Sequence, residues 1–483
     1  MLKLFHSSPR RLLATICAGW LLSSAAFAQC PVTLCLTNSP GRAIPDDFTG
    51  LSFETGQQLP DVNGVSGNLF DPTNIQLITL FKNLDLRNLR MGGGTIDGLK
   101  GAQLSQTDIA KLFGFAQAAG LKVIYSLQLL NGNPATDALA AQYVWHNYRA
   151  RLDWLAIGNE PDEPDYRYPP FGVGTDAAIT NYPTYHAAWR KYEAAVGSAI
   201  PGVTFAAPDT GGSTWNTNFA DDEKNSGLVS LFTTHDYFGG KWQGQTAATA
   251  VSNMLSSRWD SVLYPREFHA QSQVIASGYH YRLTEINDYL RGVTNASNAF
   301  ASALWALDAL HWWVGAPGCA GVNFHNKAWL LTDTIYLNQD GQSFQINPRA
   351  YGIKAFDLGG HGNVEPMTLS NPNHLNLTAY AVADATNLYV TLINKEFGPG
   401  RREAAASLLL HGFSEGAVEA MYLTVTGGNM EATNGITLGG ALITNHAPWR
   451  EQWTRLGSTT NGQFTVTVPA ASAVVLKLGQ VVQ

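Results

Sequence analysis

At 483 residues the chain exceeds one small domain; at roughly 100–200 residues per domain it holds two or three, or a barrel with an appended module. Charged residues make up only 14%, 30 basic against 37 acidic, for a formal net charge of -7 and no Lys/Arg-rich run. That balance argues against nucleic acid as a partner, while the abundance of Gly (47), Trp (13), Tyr (18) and Phe (21) is common in secreted carbohydrate-active enzymes without being specific to them.

The first 28 residues read as a cleavable signal: Lys3, Arg10 and Arg11 precede an apolar stretch that ends in Ala26-Phe27-Ala28, so cleavage is expected before Gln29. Gln29 stands where a lipoprotein signal needs a small residue, so lipidation is not expected. No other segment approaches the ~18 continuous apolar residues of a membrane span, and the mature protein is expected to be secreted or periplasmic, with no membrane partner. Of the four cysteines, Cys17 leaves with the signal. Cys30 and Cys35 are expected to pair if Pro31 bends the chain, and Cys319 reads as a buried small hydrophobe. No Cys/His spacing matches a metal site, and neither a metal nor a cofactor is expected.

Residues 29–45 contain the strand-like "VTLCLT", which is expected to join a C-terminal sheet. Over residues 46–360 apolar strands alternate with helical patterns. The strands are "FTGLSFE", "LRNLRMGG", "LKVIYSLQ", "DWLAIGNE", "VTFAAPD", "LVSLFTTHDYF", "YRLTEIND" and "CAGVNFHN". The helical patterns include "SQTDIAKLFGFAQAAG", opened by a Ser cap and closed by Gly120, and an apolar "SNAFASALWALDALHWWV". Eight such units spell an α/β fold, a (β/α)8 TIM barrel. From 361 to 483 the texture changes to alternating strands separated by Gly/Asn/Pro turns, which predicts an antiparallel β-sandwich domain.

A TIM barrel builds its active site at the C-terminal ends of its strands, where this chain places Glu54, Gly92 to Gly94, Asn159-Glu160, His235-Asp236-Tyr237, Glu285 and His325. Two acids from the fourth and seventh strands would face each other. Retaining glycoside hydrolysis needs a protonated carboxyl beside the leaving oxygen and an ionised carboxylate about 5–5.5 Å away, and opposite environments drive their pKa values apart. Glu160 fits the acid/base and Glu285 the nucleophile. Tyr237 is placed to hydrogen-bond Glu285, Asn159 to hold a sugar hydroxyl, and Trp154, Tyr166, Tyr168, Tyr289, Trp329 and Tyr336 to offer flat faces to sugar rings. The simpler readings are that Glu54 is an ion-pair partner, His235 and His325 are hydrogen-bonded pocket walls, and the glycines form a tight turn.

Taken together, "FTGLSFE", "LRNLRMGGGT", "AIGNEPD", "THDYF" and "RLTEIND" resemble the first, second, fourth, sixth and seventh strand motifs of glycoside hydrolase family 79, the heparanase and β-glucuronidase family. The last ~120 residues look like that family's accessory sandwich. The resemblance implies Glu160 as acid/base, Glu285 as nucleophile, and Glu54 and Asn159 as ligands of sugar hydroxyls. It also implies a carbohydrate substrate and release of terminal glucuronic or 4-O-methylglucuronic acid by double displacement. One stretch departs from the pattern: where the family has a tyrosine and glycines whose amides grip the uronate, this chain reads "EINDYLRGV". Either Tyr289, Arg291, Gly292 and Tyr336 supply other carboxylate contacts, or the pocket takes a neutral sugar as a β-glucosidase, β-galactosidase or β-xylosidase would. A non-catalytic carbohydrate-binding barrel would require a missing acid, and both acids are present.

Overall fold

The computed structural model describes residues 31–479 except 61–66, 99–102, 131, 164–178, 180, 213–214, 242–243, 245 and 328–329. The proposed signal segment, Cys30, Tyr166, Tyr168 and Trp329 therefore lie outside the described residues. After β1 (Val32–Thr37), eight strands follow: β2 (Thr49–Glu54), β3 (Asn88–Gly92), β4 (Lys122–Leu127), β5 (Leu152–Ile157), β6 (Phe205–Thr210), β7 (Val229–Tyr237), β8 (Tyr281–Asn287) and β9 (Cys319–Asn326). They form a closed barrel in which each pairs in parallel with the next and β9 returns to β2. The fold read from the strand runs is the fold observed. Strands buried on both faces have no solvent side to keep polar, which is why these segments read as near-continuous apolar runs.

Polar residues nevertheless plug the barrel's lower end. Arg282 donates to Asn323 and Asp47, and Asn323 donates to Asn88, which in turn donates to Asp153. The Arg282 guanidinium fits because position 321 is glycine: a Cβ there would stand 2.4 Å from Arg282 Cζ.

Around the barrel, the helix Gln106–Ala119 starts on Ser105, whose side chain accepts from the Asp108 amide, and stops at Gly120 in the left-handed region (φ 83°). The helix Phe300–Gly315 is buried nearly all round because one side packs on the barrel and the other on the C-terminal domain. It meets the helix Arg349–Gly359 so closely that a Cβ on Gly352 would lie 2.0 Å from the Ala303 carbonyl oxygen.

A short hairpin, β10 (Ile335–Leu337) with β11 (Phe344–Ile346), precedes that second helix. The C-terminal strands are β12 (Asn363–Val364), β13 (Met367–Ser370), β14 (Leu377–Ala383), β15 (Asn387–Asn394), β16 (Ala404–His411), β17 (Ala417–Val425), β18 (Ile436–Leu438), β19 (Thr454–Ser458), β20 (Gln463–Val468) and β21 (Ser472–Gly479). One sheet runs β13-β1-β16-β20 and the other β12-β14-β15-β21-β17-β18, with β19 beside β17. Val32, Leu34 and Leu36 of β1 meet Leu408, Val390, Leu392, Val474 and Leu476 in the core between the sheets. β1 thus lies parallel to β16 inside the sandwich, although it precedes the barrel in the chain.

The expected Cys30–Cys35 disulfide is not supported, and Cys30 lies outside the described residues. Cys35 is a free, half-buried thiol on the outer face of β1. The strand is paired on both sides from Val32 or Thr33 onward, and each extended residue adds about 3.3 Å, so Cys35 is reached from Val32 along an extended strand without a bend.

Candidate active site

Three of the register shifts in the barrel fall where the site is built. Shifts fall between Pro208 and Thr210 in β6, Thr234 and His235 in the β7–β8 pair, and Leu283 and Ile286 in the β8–β9 pair. Regular alternation sends neighbouring residues to opposite faces; a bulge lets two consecutive residues serve one side. Thr284 and Glu285 both use this freedom, Thr284 Oγ1 donating to Asp209 (2.7 Å) while Glu285 accepts from Arg90 (2.8 Å) and from the Tyr237 hydroxyl. Two more backbones depart from strand geometry here, with positive φ at Glu160 (45°) and Asp209 (61°). Such strain persists only where surrounding contacts impose it: the Glu160 amide donates to the Asp209 carbonyl (2.8 Å), and Asp162 accepts from the amides of Gly211 (2.8 Å) and Gly212 (3.1 Å).

A carboxylate oxygen of Glu160 and one of Glu285 come within 4.8 Å of each other, with a ring nitrogen of His235 inside the same distance. His235 Nδ1 lies 2.9 Å from Glu160 Oε1, and its Nε2 lies 3.2 Å from Asp209 Oδ1. Arg90 is completely enclosed and donates to Ser52 (3.0 Å), Glu285, Asn159 Oδ1 (2.6 Å) and Asp209. On the other side of Glu285, His325 Nδ1 stands 3.3 Å from Oε1, and its Nε2 is 3.6 Å from Glu54. Glu54 accepts from the Thr95 amide (2.7 Å) and pairs with Lys327 (2.6 Å), whose side chain is 33% exposed.

These surroundings separate the two acids. Burial, reinforced by the nearby Glu285 charge, pushes the Glu160 carboxyl above the ordinary glutamate value of 4.5 despite the His235 hydrogen bond. Burial acts the same way on Glu285, but the fields of His325, His235 and Arg90 and the Tyr237 hydrogen bond overcome it and hold that carboxyl down to about 2. Burial opposes a charge on His235, yet Asp209 and Glu285 raise it to about 10, so the ring is an imidazolium at neutral pH. Burial lowers His325 below the usual imidazole range, and near neutral pH the positive charge beside Glu285 belongs to Arg90 and His235. A protonated His235 with both nitrogens committed offers no lone pair, so the Glu160–His235–Glu285 trio is poorly suited to hold a metal ion.

Of the residues singled out from the sequence, the structure brings Glu54, Asn159, Glu160, Tyr237, Glu285 and His325 into one cluster. It does not bring Tyr289 there: the ring is fully buried beside Trp259, and its hydroxyl donates to the Ala250 carbonyl (2.8 Å) and accepts from Asn253. Its ring also fills the space beside Gly239, where a Cβ would come within 2.4 Å. The Gly292 amide closes a turn onto the Tyr289 carbonyl (3.0 Å), which leaves it no free donor for a substrate. Arg291 is exposed on that turn in the left-handed region (φ 66°), and the Tyr336 hydroxyl donates to Gln345 across the β10–β11 hairpin. Trp154 packs inside the barrel with Ile124, Ala156, Ala206 and Leu231, below the strand ends. Arg90 was visible only as part of a motif, and Asp209 and Lys327 were not singled out. An acid directly after Pro208 reads as a turn, and a lysine one step past a strand reads as solvated surface. A cavity of about 550 Å³ opens at the other end of the barrel, lined by Phe48, Arg87, Asp357, Tyr389 and Trp453 among others, but the paired acids are not there.

Residues 379–475 match the model of the glycosyl hydrolase family 79 C-terminal beta domain. The chain is a glycoside hydrolase carrying that domain. No curated protein sequence matches it. Among solved structures, the hydrolase is similar to a 4-O-α-L-rhamnosyl-β-D-glucuronidase from Fusarium oxysporum, at 17% identity and TM-score 0.69, over 92% of this chain and 100% of that one. It is also similar to a GH51 arabinofuranosidase from Xanthomonas axonopodis pv. citri (16% identity, TM-score 0.65, 93% and 99% coverage). A third similar structure is CelM2, a bifunctional glucanase-xylanase from a metagenome library (14%, 0.62, 93% and 99%). At these identities the likeness establishes the hydrolase's fold.

Proposed function

We propose that this glycoside hydrolase cleaves a terminal β-linked uronic acid with retention of configuration, Glu285 acting as nucleophile and Glu160 as acid/base. The observation that carries the mechanism is the pair itself: two carboxyls with oxygens within 4.8 Å, one held down to about 2 and the other pushed above its ordinary value. That separation suits a covalent glycosyl-enzyme and is short for an inverting enzyme, which leaves about 6.5–9.5 Å for a water. In the first step Glu285 Oε attacks the anomeric carbon as the glycosidic oxygen leaves with the Glu160 proton. In the second, Glu160 takes a proton from water, the water oxygen bonds to the anomeric carbon, and Glu285 departs as a carboxylate. His235 occupies Glu160 Oε1, so the proton is carried by Oε2.

Two features support a uronate: the family 79 C-terminal domain and the accessible ammonium of Lys327 at a site whose other cations are enclosed. A neutral β-glycoside is the second reading, favoured by the Lys327–Glu54 contact of 2.6 Å, which already balances that ammonium. Rates on p-nitrophenyl β-glucuronide and β-glucoside decide between them. A kcat/KM at least tenfold higher on the glucuronide is expected, and a preference for the glucoside would overturn the uronate assignment. We also propose export of the protein on its first 28 residues. The N-terminus of material recovered outside the producing cytoplasm is expected to begin at Gln29, and recovery of an intact Met1 terminus would contradict this.

A further inference from the structure

Asp209 touches nothing that reacts, yet it is the point at which the site's parts are joined. It is completely buried near the end of β6. Its carboxylate accepts from Arg90 of β3, from His235 of β7 at 3.2 Å and from Thr284 of β8 at 2.7 Å, and its carbonyl accepts from the Glu160 amide at 2.8 Å. Both cations it holds face the reacting acids, Arg90 Nη1 at 2.8 Å from Glu285 and His235 Nδ1 at 2.9 Å from Glu160 and 3.9 Å from Glu285. No residue of the cluster besides Asp209 binds both cations and the backbone of the acid/base among the contacts described.

We propose that Asp209 is the positioning residue of this hydrolase: its one carboxylate fixes Arg90 and keeps His235 protonated, so that a fixed positive charge faces the Glu160–Glu285 pair. The inference rests on the catalytic roles proposed above for those two acids. A neutral His235 would turn a lone pair or a single N–H toward Glu160 and lose its attraction for Glu285, whereas an imidazolium donates to Asp209 and Glu160 at once. The other charged or titratable groups around the pair are Glu54, Lys327, His325 and Tyr237 on the Glu285 side. Asp162 and Glu163 lie on the Glu160 side, with Asp162 bound to the Gly211 and Gly212 amides. Asp97 accepts from the Asn159 amide (2.9 Å), and the Tyr185 hydroxyl donates to the Pro208 carbonyl (3.2 Å) beneath Asp209. None of these groups reaches both Arg90 and His235.

The test is Asp209→Asn, which keeps the shape and removes the charge. His235 then deprotonates near neutrality, and above that pH its positive field at both acids is lost. The 15N imidazole signal of His235 is expected to titrate near the ordinary histidine value of about 6.5 in the variant, where the wild type holds its imidazolium shift to about pH 9. A variant that folds, as judged by an unchanged melting transition, and in which His235 still holds its proton above about pH 8 would overturn the proposal even if its rate fell. If the variant does not fold, the wild-type protein still decides. With 15N-labelled histidine, the signal missing from His235→Gln is expected to keep its imidazolium shift to about pH 9, and a signal that titrates at an ordinary histidine pH would refute the role. This readout needs no turnover, so failure of the proposed activity and failure of the Asp209 role give different results.

Discussion

At the residue scale the site works by setting two chemically identical groups apart. Glu160 and Glu285 share one cluster, but Glu285 accepts from Arg90 and Tyr237, while Glu160 accepts from His235 at one oxygen and keeps a side chain 16% exposed. The proposed double displacement needs Glu285 ionised, which holds above its pKa, and Glu160 protonated, which holds below its own. Lowering the first to about 2 and raising the second beyond 4.5 therefore widens the active window in both directions. The kcat/KM profile is expected to stay flat well into acid and to descend only above the ordinary carboxylate range. Glu160→Gln should lower kcat on a poor leaving group by about 10²–10⁴-fold and abolish the descending limb. A descending limb that survives in this variant would assign the acid to another residue.

At the scale of elements, the parallel strands were legible because burial on both faces leaves long apolar runs, and the two acids of the proposed mechanism were legible because a charge at the end of such a run has no structural excuse. "DWLAIGNE" and "YRLTEIND" announced Glu160 and Glu285 in this way. Asp209 ends "VTFAAPD" by the same rule, but its meaning depends on Arg90, His235 and Thr284 from three other strands, and no local pattern displays those pairings. Tyr289 was misplaced for a related reason: being two positions past a barrel strand says nothing about which way a left-handed turn sends the chain. The short helices Asn216–Glu223 and Ala247–Met254 escaped notice because neither is long enough to establish a period. The crossing of Phe300–Gly315 with Arg349–Gly359 is another property of pairs of elements. Gly352→Ala places a methyl 2.0 Å from the Ala303 carbonyl and must separate the helices. A loss of about 1–3 kcal/mol in chemical denaturation is expected, and an unchanged denaturation midpoint would show that the crossing yields freely.

At the scale of the molecule, barrel and sandwich are joined by a buried charge that neither side satisfies alone. Asp308, on the barrel helix Phe300–Gly315, accepts from Thr378 (2.6 Å), Tyr380 (2.8 Å) and Lys395 (2.6 Å) of the sandwich, and Lys395 also binds Asp260 at 3.0 Å. Burial alone would raise Asp308, but Lys395 and the two hydroxyls hold it below its ordinary value. Its contribution to stability is accordingly present above the unfolded-state pKa and is lost as pH falls through the depressed folded one. Lys395→Met strands two acids in the interface and is expected to cost about 3–5 kcal/mol, read as a lower denaturation midpoint at neutral pH. Full stability in this variant would mean that the apolar contacts of the helix suffice. With β1 lodged in the sandwich and this ion pair beneath it, the C-terminal domain reads as structural support for the barrel more than as a separate binding module.

The central claim is that Glu285 forms a covalent bond to the sugar. A 2-deoxy-2-fluoro glycoside with a good leaving group, built on whichever sugar the enzyme turns over, slows the second step more than the first and traps the intermediate. Peptide mass mapping of the inactivated protein is expected to find one sugar per chain, attached within "YRLTEIND" at Glu285. A sugar attached to a different carboxylate, or slow turnover with no covalent adduct and an inverted product, would contradict the mechanism.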